Sequence, residues 1–245
     1  MASSSVLPWM KRCSNVQPCC RLATVQMLST SSSPSSASSI PSAPVAQRPI
    51  RIVIDDVLPS SFPSDATKRL RQATRLALGS DPHSCRGRIF PPLSPGAADC
   101  LGEEAVILAT AAISNVRSII MAKLQAEYKV SMQLGGAEAL LQWLHFDDLG
   151  EASTGEPLPS RAYCQRHVDA VNRPHYAIST ILYLNTHGRD FQGGRLLFHD
   201  DDGDMEVLPK EGRLVAFSSG PENPHSVERL RSGERFALST WFQSQ

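Results

Sequence analysis

The hydrophobic positions of the chain follow a helical period in its first half and a strand period in its second half. Between residues 49 and 130, apolar side chains recur three or four positions apart, as on a helix that buries one face. This pattern predicts helices at Asp65–Leu78 and Glu103–Tyr128, a short strand at Ile50–Val57 and a proline-rich loop at Pro82–Ala98.

After about residue 139 the period changes to two, and turn residues separate short segments rich in β-branched and aromatic side chains. Strands are predicted near Ala139–Phe146, Tyr163–Asp169, Tyr176–Leu184, Arg195–His199, Met205–Leu208, Leu214–Ser218, Ser226–Leu230 and Arg235–Phe242. Many short strands in one half of a chain indicate a sandwich or barrel rather than βαβ units. The predicted fold class is α+β, with a jelly-roll (double-stranded β-helix) core supported by N-terminal helices.

The first 48 residues differ in composition from the rest. They are rich in Ser and hold 4 of the 24 basic but none of the 24 acidic residues, so 49–245 has 20 basic and 24 acidic residues, net −4. Such a leader is typical of an organelle transit peptide, and an ordinary disordered tail fits equally well. We expect residues 1–48 to be a leader and 49–245 to be one domain, with helical support at 49–130 and the jelly-roll core at 139–245. A transit peptide would direct the chain to a chloroplast or mitochondrion; otherwise we expect it in the cytoplasm.

Composition argues against some classes of protein. The formal net charge of zero gives no reason to expect a nucleic-acid partner. The most apolar segment, Ala105–Leu124, is interrupted by Ser114, Asn115, Arg117 and Ser118, so we predict a buried helix there and no membrane span. The 6 cysteines contain no CxxC pair, which leaves no zinc-site spacing and fits a reducing compartment.

Three residues form a candidate metal site. His167 and Asp169 are two positions apart, so on a strand both side chains would point to the same face and could bind one ion. His225 follows a turn and is the third candidate ligand. Two His and one carboxylate bind Fe(II) in non-haem oxygenases and leave one side of the metal open for co-substrate and dioxygen. A His–Asp pair alone is common by chance, so the interpretation as a metal site depends on the residues that follow His225.

Arg235 lies ten residues after His225, at the start of a largely apolar predicted strand. A guanidinium among core residues is unfavourable unless a carboxylate meets it. The distal carboxylate of 2-oxoglutarate is a suitable partner, because Arg can bind it through two parallel hydrogen bonds. The alternative is an Arg at a strand edge whose side chain reaches solvent.

The C-terminal half resembles the prolyl-hydroxylase group of Fe(II)/2-oxoglutarate oxygenases, which includes lysyl and prolyl 3-hydroxylase catalytic domains. The motifs occur in the family's order: His167 with Asp169, Tyr183-Leu184-Asn185, Phe191-Gln192-Gly193-Gly194, His225 and Arg235. The segment 215–225 is particularly similar to the collagen prolyl 3-hydroxylase and lysyl hydroxylase version. The resemblance covers about residues 140–245.

The resemblance implies a role for each of these side chains. His167, Asp169 and His225 would bind iron, Arg235 would bind the distal carboxylate of 2-oxoglutarate, and the Tyr183 hydroxyl would donate a hydrogen bond to it. By its sequence alone, Tyr183 is explained equally well as an aromatic core residue.

Other positions are less certain within the resemblance. Ser239, on the same strand face as Arg235, is a weaker candidate for the same carboxylate, and Trp241 is expected to pack in the core near the iron. The chain departs from the family in two places: Arg195 follows Gly-Gly where an acidic residue is usual, and Cys164 stands where many members have Tyr.

The implied activity is hydroxylation of a C–H bond, on a prolyl or lysyl residue of a polypeptide, with release of succinate and CO2. Fe(II) and 2-oxoglutarate would be required, and L-ascorbate would keep the iron reduced. Two alternatives stay open: a jelly-roll binding module without turnover, and an oxygenase acting on a small molecule or nucleic acid. Nucleic-acid repair oxygenases usually carry a second Arg six positions after the first, where this chain has Trp241. The sequence leaves the oligomeric state undefined.

Overall fold

Two antiparallel sheets form the body of the protein, and helices cover one face of the larger sheet. The computed structural model describes residues 49–78, 88–145, 165–171 and 173–245, so the leader and Cys164 lie outside the described residues. The helices are α1 Ala66–Leu78, α2 Ala97–Leu101 and α3 Glu103–Lys123, which continues into a π-helical turn, Leu124–Tyr128. The strands are β1 Arg51–Ile54, β2 Arg88–Phe90, β3 Leu134–His145, β4 Tyr176–Tyr183, β5 Phe191–Gly193, β6 Leu196–Phe198, β7 Met205–Val207, β8 Leu214–Ser218, β9 His225–Val227 and β10 Leu230–Ser244.

The large sheet has the order β1-β8-β4-β10-β3-β2, and the small sheet has the order β7-β6-β9. Strand β10 is the longest, and its first residues, Leu230–Gly233, pair with β5 before the rest pairs with β3 and β4. This strand therefore runs from a turn at the edge of the fold into the middle of the large sheet.

Alternation along β10 divides its side chains between two cores. Phe236, Leu238 and Phe242 belong to the outer core, between the large sheet and the helices. Ala237 belongs to the inner core, where residues of the large sheet meet Leu196, Phe198, Val207 and Val227 of the small-sheet side. Arg235, Ser239 and Trp241 have the same parity as Ala237, so they face the space between the sheets.

Helix α3 supplies much of the outer core. Its buried residues recur at helical spacing: Ala105, Leu108, Ala109, Ala112, Ile113, Val116 and Ile120. The helix with its π turn, Glu103–Tyr128, is long and apolar enough to cross a membrane by length and composition. Its buried stripe packs in the outer core, as expected of a core helix.

The structure departs from the predicted elements in three regions, one of which is β5, a strand that the sequence did not predict. The predicted strand Tyr163–Asp169 is wrong within its described part, because His167 makes an isolated bridge to His225 and Asp169 begins a 3-10 turn, Asp169–Val171. The proline-rich segment predicted as a loop contains β2 and the start of α2. Strand β2 is held by pairing with β3, a contact between distant segments that local sequence does not encode.

Candidate metal and co-substrate site

Three potential metal ligands meet where residues 165–171 approach β9. His167 and His225 form a hydrogen-bonded antiparallel pair, each donating its backbone N–H to the other's carbonyl at 2.9 Å. Their rings lie side by side, with centroids 4.3 Å apart. Asp169 Oδ1 is 3.5 Å from His167 Nε2 and 3.9 Å from His225 Nε2. All three ligand atoms lie within 4.8 Å of one another, so a single ion could contact all of them.

Asp169 reaches the two imidazoles by a different route from the one predicted. The sequence suggested two same-face positions of one strand, but the chain leaves the bridge at His167 and turns in 3-10 conformation at Asp169. The backbone N–H of Ala170 donates to the carbonyl of Ser219 at 3.0 Å, which ties this turn to the loop before β9. The turn brings the carboxylate beside both rings.

Backbone carbonyls set the orientation of both imidazoles. His167 Nδ1 lies 2.9 Å from the carbonyl oxygen of Gln165, and His225 Nδ1 lies 3.0 Å from that of Asn223. A carbonyl can only accept, so each Nδ1 carries a proton, and Nε2 is the ring nitrogen that faces Asp169 and is left to bind a metal. Neutral imidazoles fixed in this way are the usual histidine ligands of metal sites.

Asp169 is oriented by Trp241, whose indole Nε1–H donates to Asp169 Oδ2 at 2.9 Å. The second oxygen, Oδ1, is the one that faces the imidazoles. The sequence predicted Trp241 only as core packing, but its ring is half-buried and stacks on Tyr176, with centroids 5.8 Å apart. The available signal was its parity with Arg235 on β10, together with an indole N–H that needs an acceptor.

The electrostatics favour a charged carboxylate and at least one neutral imidazole. Burial acts to raise the pKa of Asp169, but the hydrogen bond to His167 and the charge of His225 outweigh it and hold the pKa below its usual value. Burial lowers the pKa of His225. For His167, burial is outweighed by the hydrogen bond to Asp169, and its pKa is raised. A divalent cation needs an ionised carboxylate and deprotonated Nε2 atoms, so a metal ion bound here would take the place of the proton between His167 and Asp169.

Arg235 and Tyr183 form a buried polar pair in the inner core. Arg235 is 1% exposed and Tyr183 is fully buried, and the Arg235 Cζ atom is 5.1 Å from the centre of the Tyr183 ring. Among the described residues, the Arg235 Nε, Nη1 and Nη2 atoms and the Tyr183 hydroxyl have no hydrogen-bond partner. Burial raises the pKa of the Tyr183 hydroxyl, so it stays protonated and can donate. The alternative that Arg235 reaches solvent at a strand edge is wrong.

Ser239 lies further along the same face of β10, between Arg235 and Trp241. It is 3% exposed and pairs with Ile181 of β4 and Leu140 of β3. The structure therefore places Arg235, Tyr183 and Ser239 together on the inner face of the large sheet.

The Gly-Gly motif makes room for the Arg235 side chain. Gly193 and Gly194 both have left-handed backbones, with φ of 76° and 70°. A Cβ atom on Gly193 would lie 2.2 Å from the carbonyl oxygen of Arg229, and one on Gly194 would lie 2.9 Å from Arg235 Cδ. Neither position can accept a side chain without displacing its neighbour.

Asn185 fixes the backbone on both sides of Arg235. Its Nδ2 donates to the carbonyl of Glu234 at 2.7 Å, and its Oδ1 accepts from the N–H of Phe236 at 2.9 Å. Asn185 follows the end of β4, so its amide replaces a strand backbone in the pairing with β10. The sequence singled out this residue only as part of a motif, without a role.

Comparison with known proteins identifies the domain that contains these residues. A family model described as the 2OG-Fe(II) oxygenase superfamily matches residues 159–243, a range that includes His167, Asp169, Tyr183, His225 and Arg235. Residues 159–243 are a 2OG-Fe(II) oxygenase domain. The matched range begins within the predicted jelly-roll core, after the helices and the first three strands.

Curated relatives match the oxygenase domain over short stretches. The chain is 39% identical over 80 residues to "2-oxoglutarate and iron-dependent oxygenase domain-containing protein 3" of Xenopus tropicalis, covering 33% of this chain and 25% of that protein. It is 48% identical over 67 residues to prolyl 3-hydroxylase 1 of Gallus gallus, covering 26% of this chain and 9% of that protein. The chain thus spans a quarter or less of the length of these relatives.

Solved structures match over most of the chain. A prolyl-4-hydroxylase from Pseudomonas putida covers 80% of this chain and 92% of its own, with a TM-score of 0.52 and 24% identity. A prolyl hydroxylase from Trichoplax adhaerens, in complex with a peptide fragment of hypoxia inducible factor, covers 79% of this chain and 83% of its own, with a TM-score of 0.53 and 18% identity. The predicted α+β fold with a jelly-roll core is confirmed.

The departure at Arg195 has a structural explanation inside the oxygenase domain. Its guanidinium binds both carboxylate oxygens of Glu228, at 2.6 and 3.0 Å, and also pairs with Glu206. These acids lie on β7 and after β9, so Arg195 connects the outer strands of the small sheet to the start of β6. Its ion pairs account for its presence after Gly-Gly without a contact to the candidate ligands.

Proposed function

We propose that this chain is an Fe(II)- and 2-oxoglutarate-dependent dioxygenase that hydroxylates a prolyl or lysyl residue of a polypeptide. The observation that carries the proposal is the buried Arg235–Tyr183 pair, whose hydrogen-bonding atoms lack partners among the described residues. An arginine with this burial is unfavourable unless an anion meets it. A dicarboxylate could satisfy this pair with one carboxylate. Its other end could bind a metal held by His167, Asp169 and His225.

The donor set fits an iron(II) ion. Two neutral imidazoles and one carboxylate are the ligands of the facial triad in non-haem oxygenases. His167, Asp169 and His225 would hold the ion, Arg235 and Tyr183 would bind the distal carboxylate of 2-oxoglutarate, and Ser239 would assist them. Iron and 2-oxoglutarate, when bound, supply the oxidising chemistry that places one oxygen of O2 in a C–H bond and yields succinate and CO2. L-Ascorbate is the proposed reductant that keeps the iron active.

The residues of the chain orient these groups. The carbonyls of Gln165 and Asn223 hold the two imidazoles, and Trp241 holds Asp169, so the three ligand atoms face one point. Arg235 would bind the distal carboxylate of 2-oxoglutarate through two directed N–H donors and so would orient the co-substrate. The inner core around Tyr183 and Ala237 is apolar and buried, which strengthens these charge interactions.

A polypeptide substrate is supported by the names of the similar proteins. The matched relatives include prolyl 3-hydroxylases, and one structure of the same fold holds a peptide fragment. These similarities cover part of the relatives' length or rest on the fold, so the peptide, the hydroxylated position and the choice between prolyl and lysyl residues belong to the proposal.

The first test is succinate formation from 2-oxoglutarate in the presence of Fe(II), O2 and L-ascorbate. Wild type is expected to form succinate, slowly without substrate, whereas His167→Ala and Arg235→Ala should lose it. His187→Ala is the matched control, because it removes an imidazole outside the triad. Omitting ascorbate should shorten the period over which wild type stays active.

The second test is a screen of proline- and lysine-containing peptides by mass spectrometry for the addition of one oxygen atom. A modified peptide would give the substrate class. Succinate formation with no peptide modified would favour a small-molecule or nucleic-acid substrate. If wild type neither binds Fe(II) under anaerobic conditions nor forms succinate, the chain is a binding module and the proposed function is wrong.

A further inference from the structure

Arg51 is nearly buried at the seam between the two sheets. It lies on β1, before the range that the family model matches, and its side chain is 10% exposed. Its Nη1 and Nη2 atoms donate to the two carboxylate oxygens of Asp200, both at 2.6 Å. Its Nε–H donates to Asn223 Oδ1 at 2.6 Å, and its Cζ lies 4.4 Å from the centre of the Phe198 ring. Arg51 therefore joins the edge of the large sheet to two turns that flank the small sheet.

Asn223 connects Arg51 with His225. Asn223 is 1% exposed, and its side-chain nitrogen donates to the carbonyl and the hydroxyl of Ser218, at 2.9 and 2.8 Å. Its own carbonyl accepts the Nδ1 proton of His225 at 3.0 Å. Asn223 thus accepts a hydrogen bond from Arg51 through its side chain and one from His225 through its main-chain carbonyl.

The aromatic residues next to His225 make a second connection. The Phe217 ring packs edge-on against the His225 ring, with centroids 4.8 Å apart. Phe198 packs edge-on against Phe217 at 5.1 Å, and Arg51 lies over the face of Phe198. The Arg51 guanidinium therefore packs at the end of this row of three rings, next to Phe198.

The main chain of Arg51 is itself fixed. It pairs with Phe217 in the register of β1 and β8. On its free edge, the Tyr128 hydroxyl donates to the Arg51 carbonyl at 3.0 Å and accepts from the Arg51 N–H at 3.2 Å. Because its main chain is fixed and its side chain makes three directed hydrogen bonds, Arg51 can hold the 219–224 turn in place. An exposed ion pair would hold it less firmly.

We infer that Arg51 is a positioning residue for His225, acting through Asn223 and the 219–224 turn. The inference rests on the proposed function, because His225 needs this orientation in order to bind a metal. Without the guanidinium, Asn223 Oδ1 would be buried without its donor, and the carbonyl that orients the imidazole would shift. The N-terminal strand would then serve the metal site as well as the large sheet.

The test compares metal binding with stability in Arg51→Met, Arg51→Lys and Asp55→Asn. Asp55 is the matched control, because it follows the other end of β1 and accepts two hydrogen bonds from Arg213, at 2.6 and 3.1 Å, with no contact to the triad. The readouts are the affinity for Mn(II), from the electron paramagnetic resonance signal of the free ion, the affinity for 2-oxoglutarate at saturating Mn(II), and the thermal unfolding midpoint.

Arg51→Met should weaken Mn(II) binding about tenfold, the size expected when the group that orients a histidine ligand is disturbed. Arg51→Lys should not restore it, because one ammonium cannot meet both Asp200 oxygens and Asn223 together. The affinity for 2-oxoglutarate at saturating Mn(II) should stay near the wild-type value, since Arg235 is undisturbed. Asp55→Asn should lower the unfolding midpoint without changing Mn(II) affinity.

Equal Mn(II) affinity in wild type and Arg51→Met would overturn the inference, as would an equal loss in Asp55→Asn. If Arg51→Met does not fold, Asp200→Asn decides, because it removes the carboxylate that holds the guanidinium against Asn223 and leaves Arg51 itself in place. It must weaken Mn(II) binding more than Asp55→Asn does. A wild-type chain that binds no metal would overturn this inference and the proposed function together. Tight binding by wild type and by Arg51→Met would overturn the inference alone.

Discussion

A Cβ atom on Gly194 would lie 2.9 Å from Cδ of Arg235, closer than side-chain atoms pack. It would also lie 3.1 and 3.2 Å from the side chains of Leu230 and Phe191, so the added methyl group has no direction in which to relax. We predict that Gly194→Ala displaces the guanidinium and weakens 2-oxoglutarate binding about tenfold or more, because a small misplacement of a bidentate donor is enough. Calorimetric titration at saturating Mn(II) measures this effect, and Mn(II) affinity should change little.

Gly188→Ala is the control for the backbone part of the effect. Gly188 has a similar left-handed φ of 83°, but no described heavy atom lies within 4 Å of its Cβ position. Both variants place a side chain in a left-handed backbone, which destabilises each by about 1–2 kcal/mol. Only Gly194→Ala should lose 2-oxoglutarate affinity, so equal losses would show that contact with Arg235 is not the cause.

Arg235→Met should raise the stability of the ligand-free chain while it abolishes 2-oxoglutarate binding. The buried guanidinium has no hydrogen-bond partner among the described residues, so replacing it with an apolar side chain of similar length should add about 1–3 kcal/mol to the free energy of unfolding. In wild type, 2-oxoglutarate at 100 times its Kd should add about 2.7 kcal/mol to the free energy of unfolding. In the variant it should add nothing.

Urea denaturation in the presence of Mn(II) measures the free energy of unfolding. The value without 2-oxoglutarate gives the effect of the substitution, and the increase on adding 2-oxoglutarate gives the contribution of binding. Arg213→Met is the matched control, because its guanidinium is paired with Asp55 and its loss should destabilise the chain. A ligand-free Arg235→Met chain that is less stable than wild type would mean that Arg235 is satisfied inside the protein, and its assignment to a carboxylate would fail.

Trp241→Phe should weaken metal binding about tenfold, because Asp169 Oδ2 loses the indole hydrogen bond that orients the carboxylate. Trp143→Phe removes a similar bond, in which the Trp143 Nε1–H donates to Glu234 Oε1 at 2.9 Å, away from the triad. Titration with Mn(II) should separate the two, with lost affinity in the first variant only. An unchanged affinity in Trp241→Phe would make Trp241 a packing residue, as the sequence suggested.

The sequence could predict the fold and the candidate ligands because their signals are local. The change of period near residue 139 lies within β3, after which strands replace helices as the main elements, and polar residues such as Arg235 stand out in apolar strands. The burial of Arg235 agrees with the reasoning that an arginine at this position needs an anion. The assignment of His167, Asp169 and His225 to iron, and of Tyr183 and Ser239 to 2-oxoglutarate, stays a prediction.

The residues that orient the site could not be predicted, because their partners are far away in the chain. Arg51 contacts Asn223 across 172 positions, Trp241 contacts Asp169 across 72, and Asn185 contacts Glu234 across 49. Asp200 illustrates the same limit: it stands in a run of acidic residues with Asp201, Asp202 and Asp204, and nothing in that run distinguishes the one carboxylate that binds Arg51. Such pairs follow from the way the sheets close on each other, which no periodicity along the chain records.

The pKa of Glu228 is lowered from 4.5 to about 2 by its hydrogen bonds to Arg195, against the effect of burial. A carboxyl group with a lowered pKa stabilises the folded chain above its unfolded pKa, and this contribution is lost as the pH falls through the folded value. The stability difference between wild type and Arg195→Met should therefore be largest above pH 4.5 and should vanish as the pH approaches 2. Urea denaturation between pH 2 and pH 7 measures this stability difference.

Arg231→Met is the control, since Arg231 also contacts Glu228 but is 69% exposed, and this substitution should have little effect on stability. A difference that stays constant down to pH 2 would mean that Arg195 stabilises the small sheet by packing and not through the charge of Glu228.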